Sequence, residues 1–388
     1  MLASGLRSRG HDVSVLTGFP NYPTGAIYPG YTQAWRGHER LPDGVVVHRV
    51  PLFPSHDGRA VPRGLNYLSF AASAATAARS ALESREALWV FNSPGTVPLV
   101  AARERRRRGL PYLLHIMDVW PDSVLDSGMV GGRVGRMVGS ALDRVVGRGY
   151  AEASRIAVTS RGQADLLVSR GVPPAKVEYC PVWVDEDVFR PRPHDRSVLP
   201  EGLRDSGRIV MYAGAIGHVQ QLDVAVRAAV AVAGTGLQLV LVGSGIAEQG
   251  LRDLVDELGG TNVHFLGRWA PEEMGRLGAA ADAHLVSLAD TPLLRITMPS
   301  KLPAVLAMER PVVMFGSGDA ADVVRDSGGG LCATDLDGLI DSFDTLAGAT
   351  DTQLAEWGSA GRRRYEEEFS LARGLTAVEH MLADIVGP

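Results

Sequence analysis

Lys301 lies in the segment Met298-Pro-Ser300-Lys301, between an apolar run that reads as a strand and a stretch that reads as a helix. The chain carries 39 Lys+Arg residues, and Lys176 is the only other lysine. An ammonium is a compact point charge, whereas a guanidinium is a wide planar fork. A lysine at a strand-to-helix turn suits a tight phosphate pocket; chance and a contact at the helix start give the same spacing. Other segments share this setting. Gly243-Ser244-Gly245 closes a strand and opens a helix, but Glu248 stands where a dinucleotide fingerprint needs its third glycine, so the signal for NAD is weak. Tyr212-Ala-Gly214-Ala-Ile-Gly217 repeats the glycine theme. Gly267-Arg268-Trp269 puts a cation and an aromatic after a third strand, and Ser287 leads through Asp290 and Arg295 to Ser300 and Lys301. Four strand ends thus converge on glycines, cations and small hydroxyls, the pattern that a nucleoside diphosphate requires.

The first half has two further candidates. Gly18-Phe-Pro-Asn21-Tyr22-Pro-Thr24-Gly25 follows a strand directly and offers hydrogen bonds from a loop fixed by proline and glycine. His115-Ile-Met-Asp118-Val-Trp120-Pro-Asp122 follows another. A carboxylate there orients a hydroxyl or accepts a proton, which is the role expected of Asp118. Asp122 is read as a helix cap and His115 as a hydrogen-bonded core histidine.

The elements that must position these groups are strands at about 13–17, 45–50, 88–91, 112–116, 156–159 and 177–180, then 209–213, 238–242, 263–266, 283–287, 311–315 and 331–333. Near-continuous apolar strands alternating with helices indicate parallel sheets covered on both faces, and two such sets indicate two Rossmann-like α/β domains. The expected division is 1–190, 191–365 and a last helix, 366–388, crossing back to the first domain. Residues 1–10 read as the end of an amphipathic helix. A Rossmann-like domain ordinarily starts with a strand and loop ahead of that helix, so either residue 1 is not the natural start or this domain lacks both.

Hydrophobic content of 45% and charged content of 21% are globular. Two separated cysteines, Cys180 and Cys332, exclude a disulfide framework and a zinc cluster and fit a reducing cytoplasm. No uncharged apolar run reaches the roughly eighteen residues needed to span a membrane. Net charge is −5, with residues 1–190 basic and 191–388 acidic. The run Arg103 and Arg105–Arg108 reads as a solvated helix face, with peripheral contact to an anionic membrane as the alternative.

Taken in order, GFPNYPTG with the later YPGY, DVWPDS, YAGAIGHVQQLD, FLGRW and MPSK resemble glycosyltransferase family 4 over essentially the whole chain. They are most similar to its bacterial branch for capsular, colanic-acid and O-antigen polysaccharides. The resemblance implies a GT-B fold, two Rossmann-like domains facing across a cleft. It implies a retaining, metal-independent hexosyl- or N-acetylhexosaminyltransferase without cofactor, using a UDP- or GDP-linked sugar. The acceptor would be a glycan or lipid-linked molecule at the inner face of the membrane, and nucleic acid is not an expected partner. Carried over by position, Lys301, Arg268, Ser300, Gly214 and Gly217 fall near the donor diphosphate; the strand-end pattern adds Gly243, Ser244, Trp269, Ser287 and Asp290 as donor-binding candidates. Asp118 approaches the reacting sugar, and Asn21, Tyr22, Thr24 and Trp120 lie on the acceptor side. The sequence departs from the family where no glutamate stands between Glu273 and Glu309, and where Met117 replaces a histidine beside Asp118. A natural-product glycosyltransferase, a nucleotide-sugar 2-epimerase and a non-catalytic nucleotide-sugar-binding protein are the alternative readings.

Overall fold

The short apolar runs form strands because each is too short for a helix and is bounded by glycine, proline or polar turns. The computed structural model describes all residues except 23, 56–59, 121, 123–142, 145 and 388. The chain divides into two compact units, Met1–Cys180 with Leu375–Pro388, and Pro181–Gly374. All twelve expected strands form, each within one residue of its expected ends.

The first unit holds β1 (Ser14–Gly18), β2 (Gly37–Arg40), β3 (Val46–Val50), β4 (Leu88–Phe91), β5 (Tyr112–Ile116), β6 (Arg155–Val158) and β7 (Val177–Tyr179). They make two sheets rather than one, a three-stranded β1-β3-β2 and a four-stranded β4-β5-β6-β7. β2 is the strand that the sequence did not announce. It is polar, pairs antiparallel with β3, and is tied to it by Arg49 Nε donating to Glu39 at 2.8 Å. Helix Ala60–Ala81 packs on β1, β3 and helix Pro98–Arg108. Helix Leu371–Val386 joins this unit from Leu375 onward. Leu375 lies against Gly5, Glu379 accepts from Arg9 and meets His11 at 2.8 Å, and Asp384 pairs with Arg155.

The second unit holds β8 (Ile209–Ala213), β9 (Gln238–Val242), β10 (Val263–Gly267), β11 (Ala283–Ser287), β12 (Val312–Phe315) and β13 (Gly330–Ala333), parallel in the order β10-β9-β8-β11-β12-β13. Alternation along the strands sends Val210 and Tyr212 into one core with Leu339 and Phe343, and Ile209 and Met211 into another with Leu277. A third cluster joins Val286 and Met314 to Leu302 and Leu306 of helix Lys301–Ala307 and to Tyr365 and Phe369. Burying each of these leucines contributes about 1.5–3 kcal/mol, which fixes the start of that helix on the sheet. Asp282, before β11, accepts from Arg196 at 2.6 Å, Arg208 at 3.1 Å and the Ile209 amide at 2.7 Å, locking β8 beside β11.

The segment 181–190, expected in the first domain, belongs to the second unit. Val184 is buried in the third cluster, and the Glu186 carboxylate accepts from Tyr365 Oη at 2.8 Å and the Leu371 amide at 2.9 Å.

Candidate active site

In the second unit the chain builds outward from β8 to β10, then returns to lay β11 on the other side of β8. Open α/β sheets bind ligands at such a reversal, outside the carboxyl ends of the strands. The ends of β8, β9 and β10 stand in register, Ala213 opposite Val242 and Val242 opposite Gly267. The loops that follow touch through backbone alone. The Gly214 amide donates to Val242 O at 2.9 Å and the Gly243 amide to Gly267 O at 2.7 Å. A Cβ on Gly243 would lie 1.9 Å from Gly214 O, and φ there is +131°, so glycine is required twice over.

Lys301 reaches into this reversal from the helix beyond β11. Its Nζ donates to Tyr212 Oη at 2.7 Å and lies 4.4 Å from the Tyr212 ring centroid. A Cβ on Gly214 would lie 2.3 Å from Lys301 Cε and 2.9 Å from Nζ, so the lysine crosses the bare backbone of that loop. Burial lowers its pKa to about 8. One of three ammonium protons is used by Tyr212, leaving two for an anion. Arg268 follows β10, is exposed, and makes no hydrogen bond or ion pair with the described residues. Ser300, exposed, immediately precedes Lys301.

The remaining expected residues of this unit are placed differently. The Gly217 amide donates to Gln220 Oε1 at 3.0 Å, and the Ser244 carbonyl accepts from the Ile216 amide at 3.0 Å, so both shape loops through the main chain. Ser287 is buried, its hydroxyl donating to Gln220 O. Trp269 packs partly buried beside Leu277. Asp290 is held by Arg295 at 2.6 and 2.8 Å and by Ser317 at 2.6 Å, contacts that push its pKa far down and pin the loop after β11.

In the first unit Asp118 stands beyond the end of β5. The residue is exposed, makes no hydrogen bond or ion pair with the described residues, and has its pKa raised by the protein mass around the carboxylate. Asp122 is engaged by Arg170 through two bonds of 2.7 Å; the residues it is expected to cap lie outside those described. His115 is fully buried, its Nε2 3.0 Å from Cys180 O, and burial drops its pKa to about 4, as a neutral core histidine requires. Trp120 is only 7% exposed, edge-on to Tyr67 and against Gly95, so packing claims most of the face expected to meet an acceptor. The loop after β1 is closed by the Gly25 amide on Asn21 O at 2.7 Å and by Tyr28 Oη on Tyr22 O. Tyr22 is 68% exposed, Thr24 is exposed, and Asn21 is half-buried.

Two residues escape sequence reasoning. Tyr212 reads as an ordinary apolar strand residue, and only the fold brings its hydroxyl to Lys301. Asn92 follows β4, is fully buried, and its side-chain amide meets no partner among the described residues. A buried amide left unpaired costs about 1–3 kcal/mol, a deficit that a bound hydroxyl or water removes.

Comparison with known proteins agrees with this geometry. Residues 1–183 match the family described as glycosyl transferase 4-like domain, and residues 207–348 match glycosyl transferases group 1. WcaI, a candidate colanic acid biosynthesis glycosyl transferase of Escherichia coli, is 25% identical over 374 residues, covering 92% of this chain and 85% of its own. Sucrose-phosphate synthase from Thermosynechococcus elongatus superposes with a TM-score of 0.73 at 18% identity, over 98% of this chain and 90% of that one. HepE of Anabaena, solved with UDP, gives 0.69 at 16% identity over 96% of this chain and 100% of its own. The chain is a glycosyltransferase of the GT-B type and belongs to the family with a 4-like first domain and a group 1 second domain.

Proposed function

We propose that the protein transfers a sugar, with retention and without a metal or other cofactor, from a UDP- or GDP-linked donor to a glycan or lipid-linked acceptor in polysaccharide assembly. The observation that carries this reading is the Lys301 ammonium held across the bare backbone of Gly214 at the reversal of the second sheet. The UDP in the Anabaena structure supports the nucleotide class. As the bond from sugar C1 to the diphosphate breaks, charge grows on the leaving oxygen. Lys301 and Arg268, the latter without a partner among the described residues, stabilise it. The acceptor oxygen bonds to C1 from the face that the diphosphate leaves, and its proton passes to the departing phosphate oxygen. Asp118, without a partner among the described residues and with a raised pKa, orients the acceptor hydroxyl.

The same reading places the enzyme in the cytoplasm, at the inner membrane face. No helix among the described residues is long and apolar enough to cross a membrane. Val61, Leu65 and Leu68 are exposed on one stripe of helix Ala60–Ala81. Farther along that helix, Ala71 and Ala75 share a groove with Arg103, Arg106 and Arg107 of helix Pro98–Arg108. An apolar stripe near a guanidinium cluster suits an anionic lipid surface.

The test of the transfer is nucleotide release from a panel of UDP-, GDP- and dTDP-sugars. Lys301→Ala is expected to slow release about 10²–10³-fold with the fold intact. A variant with undiminished turnover would sink the donor-site assignment.

A further inference from the structure

Tyr212 is fully buried, yet its hydroxyl emerges where β8 ends. That hydroxyl donates to Ala215 O at 2.5 Å, so its one proton is spent and its lone pairs face Lys301 Nζ at 2.7 Å. The direction of both bonds is therefore set: Lys301 donates to Tyr212, and Tyr212 donates to the loop carrying Gly214. The ring face adds cation–π attraction, with Nζ 4.4 Å from its centroid. Lys301 has a four-carbon stem and, unanchored, would extend its head to water.

We propose that Tyr212 is the positioning residue for Lys301, holding the ammonium over the Gly214 backbone so that its two remaining protons meet the diphosphate of a nucleotide. This rests on the donor-site reading above. Several charged and titratable groups on elements packed around helix Lys301–Ala307 have partners of their own, and Arg362 also donates to Ala307 O at the far end of that helix at 2.7 Å. Arg362 pairs with Glu366, Tyr365 donates to Glu186, Asp290 is held by Arg295 and Ser317, and His284 Nε2 sits 2.9 Å from Gly278 O. Burial alone lowers the Lys301 pKa, and no carboxylate or guanidinium contributes. Diphosphate affinity therefore follows the protonation of one anchored lysine.

The test uses UDP, with GDP in parallel, on the full chain and the Tyr212→Phe variant, which keeps the ring and removes the anchor. For the wild type, affinity falls as pH rises through about 8, where Lys301 loses its proton. For Tyr212→Phe, affinity at pH 7 falls about tenfold. Its pH midpoint moves up toward the ordinary lysine value of 10.5 as the side chain reaches water. Because the chain has two lysines, ¹³C/¹⁵N-lysine labelling gives two side-chain signals, Lys301 shifted by the Tyr212 ring and Lys176 as internal reference. In Tyr212→Phe the Lys301 signal moves toward that of Lys176. Gly214→Ala, whose methyl would lie 2.3 Å from Lys301 Cε, displaces the lysine with Tyr212 intact and reproduces the spectral change if the phenylalanine variant does not fold. If Tyr212→Phe keeps wild-type affinity, pH profile and Lys301 signal while Lys301→Ala loses affinity, the positioning role is overturned and the donor site stands. If Lys301→Ala binds UDP and GDP as the wild type does, or the wild type binds neither, both fall together.

Discussion

A charge kept at a buried site for function should cost stability, and replacing Lys301 with Met measures that cost. The lysine pKa drops from 10.5 to about 8 on folding because burial penalises the charged form. Below the folded pKa the lysine is charged in both states and the folded state bears the full penalty, about 3 kcal/mol. Between 8 and 10.5 only the unfolded chain holds the proton, so stability rises with pH and the penalty fades. Methionine has similar length, no charge, and a sulfur that packs well on the Tyr212 ring. It forfeits one hydrogen bond to Tyr212, worth about 1 kcal/mol. Lys301→Met is therefore expected to be more stable than the wild type by about 2 kcal/mol at pH 7. For a unit of this size that raises the melting midpoint by about 4–8 °C. At pH 9.5 the wild-type penalty has dropped to about 1.5 kcal/mol, and the two proteins should melt nearly together. Thermal unfolding of both at the two pH values is the assay. A methionine variant that melts at or below the wild type at pH 7, or one whose advantage persists at pH 9.5, would refute the reasoning. The variant's nucleotide release should fall together with its gain in stability, as expected where an active site is strained for function.

Gly243→Ala tests the contact between the loops. Its Cβ would stand 1.9 Å from Gly214 O, so that loop must retreat roughly 1 Å, enough to cost about 10²-fold in turnover with the fold kept; wild-type kinetics in this variant would remove the backbone stack from the site. The membrane reading predicts sedimentation with phosphatidylglycerol vesicles that weakens with salt and drops about tenfold or more in Leu65→Ser/Leu68→Ser. Binding that ignores the fraction of anionic lipid would count against it.

The reading of strands from sequence succeeded where burial on both faces forces an apolar run, as in Tyr112–Ile116 and Ile209–Ala213, buried almost throughout. It missed Gly37–Arg40 because an edge strand with solvent beside it has no such signature, and an ion pair to Arg49 helps to hold it. The same physics divides the candidate site. Glycines and the rare lysine were legible because their types are unusual in their setting. Trp120 and Asp290 have types that suit a ligand equally well, but packing on Gly95 and an ion pair with Arg295 occupy much of each. Tyr212 was illegible for a third reason. Its partner is 89 residues away, and the two meet only because the sheet order reverses beside β8, a fact of topology that no local pattern records. The lysine acquires its lowered pKa, its fixed direction and its bare backbone neighbour from that reversal, so the chemistry proposed for Lys301 belongs to the strand order as much as to the residue.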